Sequence, residues 1–126
     1  MSDVILKTVN LSKAYGSFLA VDGVNLNVRQ GEVFGFLGPN GAGKTTTIAV
    51  VLGLMHATAG KVEIFGQEVT PGRTQALRNV GSLVGDPGLI PHLSGRENLR
   101  LLAKLNGIEP KRVEEVLEIV DMTQAA

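Results

Sequence analysis

Residues 38–45, Gly38-Pro39-Asn40-Gly41-Ala42-Gly43-Lys44-Thr45, place glycines, a lysine and a threonine in the spacing G-x-x-x-x-G-K-[ST]. That spacing constrains the fold because its chemistry works only between a strand and the start of a helix. A phosphate chain must be wrapped by backbone N–H groups, and a Cβ on the loop would hold the backbone away from the oxygens. Gly38, Gly41 and Gly43 remove that obstacle, with Pro39, Asn40 and Ala42 filling the positions between them. Lys44 brings an ammonium toward the β- and γ-phosphates, Thr45 offers a hydroxyl to Mg²⁺, and Thr46 can add a hydrogen bond. The following helix aims its positive dipole end at the anion. The flanks agree: Val33-Phe34-Gly35-Phe36-Leu37 suits a strand buried on both faces, and Thr46 to Met55 a buried helix. The pattern predicts a nucleoside-triphosphate site.

At 126 residues, 44% of them hydrophobic, the chain has the size of one globular domain and is not disordered as a whole. Its 12 basic and 12 acidic residues cancel, so the charge balance predicts neither nucleic acid nor an anionic membrane surface as the main partner. The absence of cysteine removes disulfides, thiolate catalysis and cysteine-based zinc sites. The N-terminus, Met1 to Lys7, lacks the basic start and apolar core of a signal peptide, which predicts a cytosolic chain. The longest uncharged stretch, Thr45 to Gly60, is too short for a membrane span, so any membrane-spanning part must belong to another chain.

Asp3 to Leu11 has strand character, and Val24, Leu26 and Val28 alternate with Asn25, Asn27 and Arg29. The first third is therefore expected to form a small antiparallel β layer. Gly60 to Gly66 and Val80 to Val84 read as further strands, with a turn at Val69-Thr70-Pro71-Gly72 and a brief helix near Arg73 to Arg78. Gly85-Asp86-Pro87-Gly88 is a loop by composition. Then the period becomes helical. Ser94 and Glu97 spell a capping box ahead of Leu99, Leu102, Ala103 and Leu105, and Asn106-Gly107 is a stop. Pro110 opens a second helix with Val113, Val116, Leu117 and Val120 on its apolar face.

Tyr15 to Val24, residues 38–47, Gly60-Lys61-Val62 and Leu93 to Leu99 together resemble the ATP-binding subunit of ABC transporters, over essentially the whole chain. Pro87-Gly88-Leu89 and His92 to Leu99 look most like the bacitracin-resistance and multidrug exporter type. The resemblance implies an α/β fold: a P-loop NTPase core of ABC ATPase type, incomplete, in a single partial domain. Its β layer would cover about 1–32, the P-loop core about 33–85 and the start of a helical subdomain about 86–126. It implies ATP and Mg²⁺ as cofactors and Tyr15 as the aromatic that stacks on adenine. A membrane-spanning permease and a second ATPase subunit would be the partners, without nucleic acid. The protein would then be cytoplasmic, peripheral on the inner membrane face through its permease, with Gly85 to Leu93 facing the transporter. The family places a glutamine or glutamate after the strand corresponding to Val80 to Val84; here Gly85 stands there. Asp86 follows, either as a displaced metal carboxylate or as an ordinary turn residue before proline.

Hydrolysis in such a family further needs a strand ending in Asp and then a catalytic Glu, a switch histidine and a Leu-Ser-Gly-Gly-Gln signature. Leu93-Ser94-Gly95-Arg96 mimics the signature but is expected to be a helix cap, and Leu117 to Asp121 mimics the strand but fits a helix face. His56 and His92 are expected to be structural or solvated. No catalytic residue is assigned, and these residues alone are expected to bind nucleotide without hydrolysing it, in a marginally stable or aggregation-prone chain. Two alternatives stand beside a transporter ATPase: a non-hydrolysing nucleotide-binding fragment, and a soluble relative acting on ribosomes or DNA ends.

Overall fold

A long hairpin opens the chain. In the computed structural model, which describes residues 3–36 and 42–126, strand β1 (Val4–Tyr15) runs antiparallel to β2 (Phe18–Arg29). Gly16 at the turn sits at φ +60°, the left-handed value a tight hairpin loop needs at its first position. β3 (Ala59–Ile64) pairs antiparallel with the other edge of β1, and β4 (Gln67–Val69) with β3, giving the order β2-β1-β3-β4. The expected antiparallel layer is thus longer than its apolar alternation suggested. Both hairpin strands continue through residues without that alternation, because ladder pairing carries them.

The ladder is interrupted where β1 bulges between Thr8 and Leu11. Asn10 takes φ +48°, and its amide donates to Asn25 Oδ1 at 2.9 Å. The buried Thr8 hydroxyl donates to the Val24 carbonyl and accepts from the Leu26 amide, each at 2.9 Å. Polar side chains therefore satisfy backbone groups that the bulge removes from the ladder. Gly60 faces this bulge at φ +78°, and a Cβ there would overlap the carbonyls of Val9 and Asn10.

One face of the sheet closes on helix α1 (Ala42–Val51). Leu11, Val62, Ile64 and Val69 from the sheet meet Val50 of α1 and Ala76 of a 3-10 turn, Gln75–Asn79. α1 begins before Thr46 and stops short of Met55. The stop is local: Gly53 turns left-handed at φ +70°, and the amides of Gly53 and Leu54 donate to the carbonyls of Val50 and Ala49 at 3.0 and 2.9 Å.

Two expected strands do not form. Residues 32–36 and 80–84 are irregular, Val33 is 98% exposed, and among the described residues no strand pairs with either segment. Leu37 lies outside the described residues. Phe34, Phe36 and Leu83 instead border an open groove of about 410 Å³ alongside Ile48 and Val51 of α1. An apolar run sets a demand for burial, but a strand also needs a ladder partner, and neither run specifies one locally.

By contacts the chain divides at Gly85 into units Met1–Gly85 and Asp86–Ala126. In the second, α2 (Gly95–Leu105) begins with the full capping box: Ser94 Oγ accepts from the Glu97 amide at 3.1 Å, and Glu97 Oε1 accepts from the Ser94 amide at 3.0 Å. The Ser94 amide bonding that carboxylate, and then the Ser94 side chain, hold the Glu97 carboxyl below its ordinary value, with burial opposing them and Arg100 adding the least. Asn106 and Gly107 end the helix as expected, with the Ile108 amide donating to the Ala103 carbonyl at 2.8 Å. α3 (Lys111–Ile119) packs Val113 and Leu117 on Ala103 and Leu99. Leu102 and Leu105 are exposed, against the expected apolar face, and Val120 lies just past α3. Arg96 ties the pair, donating to both Glu114 carboxylate oxygens at 2.8 and 3.3 Å and to the Thr123 carbonyl at 2.7 Å.

Candidate functional site

The G-x-x-x-x-G-K-[ST] segment runs directly into α1. Leu37, Gly38, Pro39, Asn40 and Gly41 lie outside the described residues. Ala42 is the first residue of α1, and Gly43, Lys44 and Thr45 complete its opening turn, which contains no acidic side chain. Lys44 is half-buried and Thr45 exposed, while Thr46 and Thr47 are buried at 6% and 3% exposure. Thr47 donates to the Gly43 carbonyl at 2.7 Å, so its hydroxyl serves the helix.

Gly43 has a second task that its place in the motif does not reveal. A Cβ there would approach the Ala20 carbonyl of β2 to 2.9 Å, so the hairpin and the start of α1 meet with no room for a side chain. The glycine therefore joins the helix N-terminus to the sheet as well as baring the backbone.

Tyr15 stands at the end of β1, opposite Phe18 across the hairpin, and is 42% exposed. Its hydroxyl donates to Met55 Sδ at 3.2 Å, and the Lys13 ammonium lies 5.5 Å from its ring centre. The chain leaving α1 returns to the same hairpin. The Thr58 amide donates to the Ser12 carbonyl at 2.8 Å, and Thr58 Oγ1 accepts from the Ala14 amide at 2.9 Å. Tyr15 and the opening of α1 thus share one unit and one hairpin. Neither Ala20 nor Met55 carries a sequence signal for these contacts, since a backbone approach and a thioether acceptor have no motif.

Asp86 belongs to the second unit. Its Oδ1 accepts from the Gly88 amide at 2.8 Å, the local bond of a side-chain-stabilised turn before proline. The two look-alike segments are also accounted for locally. Ser94 is the α2 cap. Leu117 to Ile119 are helical, and Asp121 sits left-handed at φ +57° with its amide on the Glu118 carbonyl at 3.1 Å, closing the end of α3. His56 and His92 are both exposed.

The opening turn of α1 offers backbone amides, an ammonium and a hydroxyl, with no carboxylate among them. That donor set fits a polyphosphate, and the hydroxyl suits a hard divalent cation. Among the described residues, no group of three or more His, Cys, Asp or Glu side chains is placed to hold a metal ion. Among them, too, no helix is long and apolar enough to cross a membrane.

Comparison with known proteins adds an independent line. The family model described as ABC transporter matches residues 21–126. A bacitracin transport ATP-binding protein of Bacillus licheniformis is 50% identical over 119 residues, which are 94% of this chain and 39% of that protein. A linearmycin resistance ATP-binding protein of Bacillus subtilis is 36% identical over 97% of this chain and 40% of its own length. The chain thus spans about two-fifths of these curated relatives. Among solved structures, a dimeric ATP-binding cassette in a post-hydrolysis state with ADP and Pi superposes with TM-score 0.74 at 28% identity, over 93% of this chain and 57% of that one.

Proposed function

The chain belongs to the ABC transporter family, and on that premise we propose that it is the nucleotide-binding portion of a transport ATPase subunit and holds ATP with Mg²⁺. The observation that carries this is the phosphate-binding motif running into α1, whose opening turn presents Gly43, Lys44 and Thr45 without a carboxylate. In this reading residues 38–46 wrap the phosphates, Lys44 neutralises the β- and γ-groups, and Thr45 ligates Mg²⁺. Asp86 is the remaining candidate for the metal, and Tyr15 stacks on adenine. Bound ATP supplies the hydrolysis energy that the whole subunit would couple to transport.

By the same reading the parent protein works as a dimer on the cytoplasmic side of a membrane-spanning permease and exports a solute. Relatives named for bacitracin transport and linearmycin resistance support export. The residues divide as about 1–32, 33–85 and 86–126 into β layer, nucleotide core and the start of a helical subdomain.

A MgATP titration tests the site. Lys44→Ala is expected to weaken binding at least about tenfold, the scale of a lost charge-assisted contact. Tyr15→Ala, by removing a stacking face, is expected to do so by about 1–3 kcal/mol. Binding that ignores Lys44 would refute the site. A second reading, binding without turnover by this segment, is favoured by the capping role of Ser94 at the start of α2 and the left-handed place of Asp121 just past α3, which occupy both residues locally. Phosphate release that disappears with Lys44→Ala would decide against it.

A further inference from the structure

Two contacts decide where the Tyr15 ring lies, and each acts on a different torsion. A phenol oxygen sits on the axis about which its ring turns, so a bond to it fixes where that axis points and leaves the ring plane free. That bond is the one donated to Met55 Sδ at 3.2 Å. The plane is biased separately by the Lys13 ammonium 5.5 Å from the ring centre, drawn to the negative face of the π-system. At 42% exposure the tyrosine has water within reach, so its hydroxyl does not need a weak thioether acceptor to be satisfied.

Met55 is the fixed end of this pair. It is half-buried and packs against the core cluster of Leu11, Val50 and Val62. The chain is tied down on both sides of it. The Gly53 and Leu54 amides close the end of α1 on the Val50 and Ala49 carbonyls, and Thr58 bonds to Ser12 and Ala14 of β1 beside Tyr15. The exit of the helix whose opening turn holds Lys44 therefore carries a sulfur at a set place, and the exposed ring is the movable partner. A free ring would have to be gathered from its rotamers when a base binds, at a cost in affinity, whereas a pinned ring is already gathered.

We propose that Met55 is a positioning residue for the nucleotide base: its sulfur pins the Tyr15 hydroxyl so that the ring is aimed before the base arrives. The inference rests on the reading that Tyr15 stacks on adenine. It assigns Met55 to act through Tyr15 and not on the nucleotide itself.

The test measures MgATP affinity of the complete subunit carrying this segment, as wild type, Met55→Leu, Tyr15→Phe and the two combined. Leucine keeps an apolar side chain of similar volume without the sulfur, and phenylalanine keeps the stacking face without the donor. Each single substitution is expected to weaken binding about three- to tenfold, the scale of one neutral hydrogen bond. The pair should weaken it no more than either alone, because both remove the same bond. Magnesium tripolyphosphate, which carries no base, should bind the variants within about twofold of wild type, as for an independent site. Amide protection at Leu11 and Val62 should be unchanged.

MgATP affinity that ignores Met55→Leu, losses that add in the pair, or tripolyphosphate binding that falls in step with MgATP would each overturn the proposal. Lost protection at Leu11 and Val62 in Met55→Leu would overturn it too, leaving the methionine a core residue alone. Tyr15→Ala keeps the two readings apart. If it weakens MgATP binding while Met55→Leu does not, only the positioning role fails; if it changes nothing, the stacking reading fails.

Discussion

The two units of this chain treat their apolar residues differently. In Asp86–Ala126 three of the four helix ends are specified by bonds within a few residues: Ser94 and Glu97 start α2, Gly107 and Ile108 finish it, and Asp121 and Met122 finish α3. In Met1–Gly85 the strand-like runs at 33–36 and 80–84 do not appear as strands, while the less regular Ser12 to Tyr15 does. A helix satisfies its backbone within itself, so its limits are local facts. A strand is a relation between segments, and composition cannot say whether the other segment is at hand.

The sharpest way to break that contrast is Gly60→Ala. Alanine would need φ near +78° and would press its Cβ into the Val9 and Asn10 carbonyls, which belong to the bulged strand and cannot retreat without giving up the sheet. We expect a loss of about 3 kcal/mol or more, from left-handed strain together with backbone overlap. Hydrogen exchange should report it as lost protection in β1 and β3, with α2 and α3 unchanged. Equal loss in the helices would show that the units do not stand apart energetically.

Ser94→Ala probes the local code with a smaller effect. Removing the cap is expected to cost about 1 kcal/mol, read as faster exchange at the start of α2. The cap also has a pH signature. Because its bonds with Ser94 hold Glu97 below the usual glutamate value, its contribution is fully present above that usual value and fades as acid carries the pH through the lowered one. An NMR titration of Glu97 in Ser94→Ala should move back toward the ordinary value. A titration curve unchanged by the substitution would mean that the hydroxyl does not hold the carboxylate.

Much of the molecule was legible in its sequence for the same reason. The Asn106-Gly107 stop and the capping box are each a local instruction, and each is found where expected. Gly53 was equally local, and α1 ends on it, but its place inside a long uncharged run hid it. What composition could not supply was contact over distance: Ala20 against Gly43, Met55 under the Tyr15 hydroxyl, and Asn98 reaching back to Ile90. For the site, residue types were readable because phosphate binding by main chain demands glycines at fixed intervals. Its walls were not readable, since any residue can present a carbonyl.

The smallest expected effect is the most telling about the unpaired runs. Val33 is 98% exposed, so Val33→Lys should change stability by no more than about 0.5 kcal/mol, as for an ordinary surface position. In a strand buried on both faces, the same lysine would bring an unpaired ammonium into the core at a cost of several kcal/mol. A thermal melt of the two proteins distinguishes these outcomes, and a large drop would show that residues 33–36 are paired in solution. If the melt is unmoved, the substitution should still raise solubility, because it interrupts an exposed apolar run beside Phe34 with a charge that edge pairing between chains cannot bury.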